Sequence, residues 1–205
     1  KRGGEAFDLL DWNSAINLVK TALADASSTC FLLGGGPDHL NDLVDELGVQ
    51  KVRCSTYGTL DGRTTFNQVM GSGLPYYDLA EADVVFSFGA NFLETWLSPL
   101  QYSRGYGTLR QGHFGRRGYF VSFEPRLSLT SANADEWIPV RPGTEGLAAL
   151  ALGALVAQRQ GRSSSIFAGV DYAAAARAAE IPLATISHLA DLFLQAERPL
   201  AMAGG

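Results

Sequence analysis

Short apolar segments alternate along this chain with stretches of helical periodicity, and this alternation constrains the fold more than any other feature. Strands are predicted at 29–33, 84–88, 119–123, 138–140 and 199–203. Helical spacing of apolar residues predicts helices that begin near Asp11, Pro37, Glu145, Tyr172 and Leu183. Strands and helices that alternate in this way are typical of a parallel sheet covered by helices. The predicted fold class is therefore α/β.

Charge and cysteine content exclude several functions. A net charge of −5 disfavours a general nucleic-acid binder, which usually carries a basic surface. Arg104, Arg110 and Arg117 belong to a local arginine cluster, interpreted as a solvated or intersubunit surface, with phosphate or carboxylate binding as the alternative. Cys30 and Cys54 are the only cysteines, and two thiols cannot supply the four ligands of an ordinary iron–sulfur cluster. This chain is therefore predicted to hold no such cluster.

Polar turns follow three of the predicted strands, at the sheet edge where α/β proteins bind ligands. Gly89, Asn91 and Thr95 follow the strand at 84–88, and Gly89 permits close approach of backbone to a ligand. Asn91 offers both a hydrogen-bond donor and an acceptor. Taken alone, this turn could be purely structural.

The next two strand ends carry acids and a helix start. Glu124 suits paired ribose hydroxyls or the N–H edge of guanine, and Arg126 suits a phosphate. Gly143 and Thr144 open a helix whose free N–H groups could receive an anion, and Glu145 could contact a base or complement the helix dipole. A surface acid and a helix cap are the structural alternatives. Three such ends in succession favour a nucleotide site.

The standard dinucleotide motifs are missing from the chain. The glycine run at 34–36 has neither the G-x-G-x-x-G spacing nor a P-loop lysine. A nicotinamide-dependent dehydrogenase is therefore disfavoured.

Four motifs in order resemble the molybdopterin oxidoreductase family, which includes dimethyl sulfoxide reductases and formate dehydrogenases. The first places Ala82-Asp83 before the strand at 84–88 and a Gly-x-Asn turn after it. An acid-Pro-Arg turn, a Thr followed by an Ala-Asp pair, and a Pro-Gly-Thr-acid turn follow; here they are Glu124-Pro125-Arg126, Thr130 with Ala134-Asp135, and Pro142 to Glu145. The resemblance extends over nearly the whole chain.

The resemblance implies a bis-molybdopterin guanine dinucleotide cofactor (MGD) with molybdenum. By analogy, one group of residues faces the diphosphate: Gly89, Asn91 and Thr95. A second group recognises ribose and guanine: Glu124, Arg126 and Glu145. Thr130, Gly143 and Thr144 belong to the same cofactor-binding motifs.

The resemblance also suggests Cys54 as a molybdenum ligand, because the family's ligand lies some thirty residues before the Asp that opens the Gly-x-Asn strand. A thiolate suits a soft metal site. Ser55 is an alternative ligand, and a buried, inert Cys54 is the alternative interpretation.

Three segments are expected. Residues 1–50 form the first part of an outer α/β lobe, residues 51–161 a Rossmann-like nucleotide-binding lobe, and residues 162–205 the return to the outer lobe. The two chain ends thus contribute to a second α/β lobe. The first helix is predicted to bury a stripe of apolar residues, namely Trp12, Ile16, Val19 and Leu23.

The predicted function is that of a fragment of a molybdopterin-dependent oxidoreductase subunit, which contributes to the MGD site used in electron transfer. Expected partners are the remaining domains of the parent, a membrane anchor and an iron–sulfur electron-transfer subunit, with no nucleic acid. The alternative is a molybdenum-free scaffold subunit of a respiratory complex. Phe92-Leu93, where catalytic members often have Pro-Ala, and Glu124, where Asp is commoner, keep that alternative open. The fragment alone is expected to be inactive.

Overall fold

The computed structural model of the chain describes residues 9–33, 38–53, 66–69, 71, 75–112, 115, 117–162 and 164–204. The chain divides into two compact units, Lys1–Thr56 and Tyr57–Gly205. No helix within these described ranges is both long and apolar enough to cross a membrane.

The N-terminal unit is a small parallel β–α–β arrangement preceded by a helix. Its elements are helix α1 (Trp12–Leu23), a 3₁₀ turn (Ala26–Ser28), strand β1 (Cys30–Leu33), helix α2 (Asp38–Glu46) and strand β2 (Gln50–Arg53). The two strands pair in parallel. A small apolar core lies in this unit, formed by Leu33, Val44 and Val49 with Phe31, Leu40 and Leu47 around them.

The position of helix α1 was predicted correctly, but the predicted burial of its apolar side chains is wrong. Asp11 caps α1 by accepting the Ser14 backbone N–H at 3.0 Å, as an N-terminal Asp should. Trp12, Ile16 and Val19 are nevertheless 84%, 47% and 57% exposed, and no residue of α1 is buried within the described part of the chain. Apolar periodicity determines which face of a helix is hydrophobic, but not whether another element covers it.

The C-terminal unit contains a four-stranded sheet with helices on both of its faces. The elements are β3 (Val84–Phe88), α3 (Pro99–Gln111), β4 (Tyr119–Glu124), α4 (Leu129–Ala132), β5 (Glu136–Pro139), α5 (Glu145–Arg159), α6 (Tyr172–Ala178), α7 (Leu183–Gln195) and β6 (Pro199–Ala203). All neighbouring strands are parallel, in the order β5-β4-β3-β6. The predicted α/β fold class is confirmed.

The strand register brings three strand ends to one edge. Phe88 lies opposite both Phe123 and Ala203, so β3, β4 and β6 finish at the same level. After β3 the chain continues to β4 on one side, and only later returns to β6 on the other. The gap between β3 and β6 is therefore the topological switch point, where open α/β sheets place their ligands.

Both faces of the sheet are covered by apolar packing. Phe86 and Phe123 belong to a core on one face, which includes residues of α5, α6 and α7. Val85, Phe120 and Met202 belong to the core on the other face, which includes residues of α3. All five residues of β3 are buried, as expected for a central strand of a two-sided parallel sheet.

The structure divides the chain differently from the sequence-based expectation, in which 162–205 returned to the lobe of residues 1–50. Helix α7 packs against α5, and β6 pairs with β3 along its whole length, both within the Tyr57–Gly205 unit. The strand at 199–203 was predicted correctly. Its partner was not, because local periodicity carries no information about which strand lies alongside.

Helix α3 and strand β5 also differ from the sequence-based prediction, and strand β2 and the short helix α4 were not predicted. Helix α3 was not predicted, since Gly105 and Gly107 lower its helix propensity and only Tyr102 and Leu109 are buried. Gly105 fits a close approach, because a Cβ there would lie 3.2 Å from the Leu79 Cβ. Strand β5 begins two residues before the predicted start at 138, and Pro139 is tolerated because β5 is an edge strand.

Candidate functional site

The carboxyl edge of the sheet brings the three predicted strand-end turns into one region. Gly89 follows β3, Glu124 ends β4, and Glu145 begins α5 just after β5. The Gly89 N–H donates to the Phe123 carbonyl at 3.1 Å, which joins the first two turns directly.

Gly89 lies at a crowded point of this edge. Its φ is +72°, a left-handed conformation that favours glycine. A Cβ at this position would lie 2.7 Å from the Gly204 carbonyl oxygen and 3.6 Å from Cγ of Glu145. The Gly204 N–H donates to the Phe88 carbonyl at 3.2 Å. Gly89 thus lets the end of β6 and the start of α5 approach the switch point together.

Asn91 and the buried Glu124 form a polar pair near this point. With the Asn91 amide nitrogen facing its acceptors, it donates to Glu124 Oε1 at 2.9 Å, to Oε2 at 3.1 Å and to Ser128 Oγ at 3.1 Å. Glu124 is only 2% exposed. The pair therefore connects the turn after β3 to the turn after β4.

The environment of Glu124 raises the pKa of its carboxyl group. Burial is the largest cause, and the negative charge of Glu94 acts in the same direction. Hydrogen bonds with Ser128 and Ser131 and the charge of Arg126 oppose the shift. A carboxyl group whose charged form is disfavoured in the folded state destabilises the fold once it ionises.

We expect the free energy of unfolding of Glu124→Gln, measured relative to wild type, to increase as pH rises from about 4 to about 8. The pKa of Glu124 in the folded protein is above the ordinary value of 4.5. The protonated carboxyl therefore contributes fully to stability below pH 4.5, and this contribution is lost as pH rises through the folded pKa. Urea denaturation of both proteins between about pH 4 and pH 8 measures this difference. A variant advantage that does not grow with pH would contradict the assignment.

Three further contacts join the same two turns. The Thr130 hydroxyl accepts the Leu93 N–H at 3.1 Å, and Glu94 Oε1 accepts the Leu129 N–H at 3.4 Å. Arg126 Nη2 lies 3.8 Å from Glu94 Oε2. Thr130 is completely buried. In this structure Thr130 supports the turn after β3, and its role as a direct cofactor contact stays a prediction.

The N-terminus of α5 forms the third part of the site. Gly143 has a φ of +78° and turns the chain so that Thr144 donates to the Arg141 carbonyl through both its N–H, at 3.1 Å, and its hydroxyl, at 2.5 Å. The Thr144 hydroxyl therefore does not cap the helix. Glu145 is the one acidic residue in the first turn. This end combines backbone N–H groups with a carboxylate beside Gly89.

Other predicted residues lie at the margin of the site or outside the described residues. Thr95 is exposed on the turn after β3. Cys54 and Ser55 lie outside the described residues, as do the glycines at 34–36. Within the described ranges, no group of three His, Cys, Asp or Glu side chains could hold a metal ion.

Sequence reasoning missed the serines and the acid that complete the polar network. Ser128 was readable as an N-cap for α4, and it does accept the Ser131 N–H at 3.0 Å. Ser131 Oγ lies 2.9 Å from Ser122 Oγ on β4. The acid is Glu94, on the turn after β3. No local pattern could have indicated the Ser131–Ser122 and Glu94–Leu129 contacts, because in each the two partners come from different elements.

Comparison with known proteins identifies the family of the chain. The family model described as "Molybdopterin oxidoreductase" matches residues 1–203. A menaquinone reductase molybdopterin-binding-like subunit of Nitratidesulfovibrio vulgaris is 25% identical over 97% of this chain and 31% of its own length. A sulfite dehydrogenase subunit of Allochromatium vinosum is 28% identical over 74% of this chain and 16% of its own length.

A solved structure supports the fold. Acetylene hydratase from Pelobacter acetylenicus aligns with a TM-score of 0.65 and 17% identity, over 100% of this chain and 30% of that protein. The chain thus spans less than a third of the length of each of these three relatives. Since the family model covers almost all of its length, the chain belongs to the molybdopterin oxidoreductase family.

Proposed function

We propose that the carboxyl edge of the sheet binds the guanine nucleotide end of a bis-molybdopterin guanine dinucleotide cofactor, within an oxidoreductase subunit that transfers electrons. Membership of the family implies a molybdenum–molybdopterin cofactor. The guanine-nucleotide proposal rests on one observation: Glu145 and the end of β6 both approach Gly89. Gly89 lies at the topological switch point of the sheet.

The donor set at this edge fits a guanine nucleotide. Glu145 can accept from the N–H edge of guanine or from ribose hydroxyls, and the α5 backbone N–H groups can receive a phosphate oxygen. The Arg126 side chain is 69% exposed and is free to reach a second phosphate oxygen. Among the described residues, Oε2 of Glu94 is buried without a hydrogen-bond partner, which indicates a site whose polar groups are not all satisfied within the chain.

We assign the predicted residues to two roles. Gly89, Glu145 and Arg126 lie where a ligand can contact them, together with Thr95 on the exposed turn. Others position the site from behind; these are Asn91, Glu124 and Thr130, with Gly143 and Thr144 shaping the helix start. When bound, the molybdenum–molybdopterin group would supply the redox chemistry, and Cys54 or Ser55 remains the proposed metal ligand.

The experiment is to titrate this chain with GDP and with ADP by isothermal calorimetry. GDP should bind more tightly, and Glu145→Gln should weaken GDP binding about ten-fold, because a hydrogen bond to a charged group is worth about 1.5–3 kcal/mol. Glu180→Gln, at an exposed acid after α6, is the matched control and should leave binding unchanged. Equal affinity for GDP and ADP, or no binding of either, would exclude the guanine site.

A second candidate function is a molybdenum-free scaffold subunit in a respiratory electron-transfer complex. The relative matched over 97% of this chain is described as molybdopterin-binding-like, and this description favours considering it. Molybdenum and pterin analysis of the full-length parent distinguishes the two functions. In either case we propose the same partners, namely the remaining domains of the parent, a membrane anchor and an iron–sulfur electron-transfer subunit.

A further inference from the structure

Arg126 and Glu94 form an ion pair on the rim of the proposed nucleotide site. Arg126 Nη2 lies 3.8 Å from Glu94 Oε2, a long, single contact. The Arg126 side chain is 69% exposed, whereas that of Glu94 is 27% exposed. The guanidinium is thus held loosely at one corner and can turn towards a ligand.

The carboxylate of this pair depends on Arg126. Glu94 Oε1 accepts the Leu129 N–H at 3.4 Å, a long hydrogen bond. Oε2 is buried, and among the described residues no donor forms a hydrogen bond with it. The cation at 3.8 Å compensates this oxygen, and because the pair is partly exposed, its loss costs a modest free energy.

The charge of Arg126 also acts on a second acid, Glu124. Glu124 ends β4 and is almost completely buried; the charge of Glu94 makes its ionisation harder, and the charge of Arg126 makes it easier. One guanidinium therefore pairs with Glu94 and also favours the charged form of Glu124. A phosphate that recruits Arg126 removes the cation from both.

We propose that Glu94 competes with the phosphate of the bound nucleotide for Arg126, and so sets how strongly the site prefers a phosphorylated guanine ligand over guanosine. This inference rests on the proposed guanine-nucleotide site. In the ligand-free protein Arg126 pairs with Glu94, and in the complex it pairs with a phosphate oxygen. Glu94 then loses its cation, so part of the phosphate's binding free energy is spent on breaking the pair.

The test is calorimetric titration of the wild-type chain and three variants with GDP and with guanosine. Glu94→Gln keeps the oxygen that accepts the Leu129 N–H and removes the charge, so the turn is preserved. We expect about five-fold tighter GDP binding, the upper range for a solvent-accessible ion pair, and no change for guanosine. Arg126→Gln should weaken GDP binding and leave guanosine binding unchanged. In Glu94→Gln/Arg126→Gln the five-fold gain should disappear.

Glu81→Gln is the matched control. Glu81 also pairs with an arginine, Arg198, at 2.6 Å, but it precedes β3 and so lies at the opposite edge of the sheet. This variant loses the same charge and should not change GDP affinity.

The outcomes separate the two proposals. If the wild-type chain binds neither GDP nor guanosine, the proposed function fails, and the role of Glu94 fails with it. If GDP binds but Glu94→Gln leaves its affinity unchanged or weakens it, the site stands and the competition is disproved. If the gain persists in the double variant, it reflects the overall charge and not the release of Arg126, which also overturns the inference.

Discussion

Replacing Asp135 with Ala is expected to lower the free energy of unfolding by about 3 kcal/mol, because removing one partner of a buried ion pair leaves the other charge uncompensated. Asp135 is 11% exposed and binds Arg110 and Arg117, the latter at 3.0 Å. It also accepts the backbone N–H of Phe120 at 2.8 Å. Removing the carboxylate leaves Arg110, whose side chain is 18% exposed, without its anion and the start of β4 without an acceptor. Urea denaturation measures the loss.

The pH dependence provides an independent check of the Asp135 prediction. Burial opposes ionisation of Asp135, but the hydrogen bonds from Arg110 and Phe120 and the charges of Arg110 and Arg117 outweigh it and lower the pKa. A lowered pKa contributes stability that is complete above the ordinary value of 3.8 and is lost as pH falls through the folded pKa. The deficit of the variant should therefore be largest at neutral pH and shrink on acidification.

Asp191→Ala is the matched control for this prediction. Asp191 also pairs with an arginine, Arg159, at 2.5 Å, but its side chain is 54% exposed. An exposed pair is worth about 0–1 kcal/mol. Equal losses for the two variants would contradict the view that burial of Asp135 makes its contacts important.

Replacing Gly89 with Ala is expected to destabilise the C-terminal unit by about 3 kcal/mol, the sum of left-handed backbone strain and steric overlap. The φ of +72° alone disfavours any residue with a Cβ. The new Cβ would also lie 2.7 Å from the Gly204 carbonyl oxygen, so the end of β6 would have to move. Nucleotide binding should fall in parallel, because the same displacement disturbs Glu145.

Gly143→Ala separates the two contributions to the Gly89 effect. Gly143 has a similar φ of +78°, but a Cβ there would have no neighbour within 4 Å. This variant should lose only the backbone term of about 1–2 kcal/mol. Chemical denaturation of both variants gives the comparison. If Gly89→Ala costs no more than Gly143→Ala, the close approach of β6 is not a real constraint.

The site could be predicted from the sequence only in part. The strand ends at Gly89, Glu124 and Glu145 were identified because each polar turn directly follows an apolar run or opens a helix. Asn91 and Thr130 were identified as well, but as cofactor contacts. In the structure their side chains contact Glu124 and the Leu93 N–H. Residue type indicated that these positions are polar and close to the site, but not which partner they contact.

By itself, the sequence determined the strands at 84–88 and 199–203, the start of α5 and the polar turns that follow the strands, because periodicity and turn chemistry act over a few neighbouring residues. Only the tertiary structure decided that β6 lies beside β3, that the apolar face of α1 is exposed and that Arg126 pairs with Glu94. These contacts depend on strand order and register. Register aligns groups such as Leu93 and Thr130, which are 37 residues apart, and no local pattern encodes that alignment.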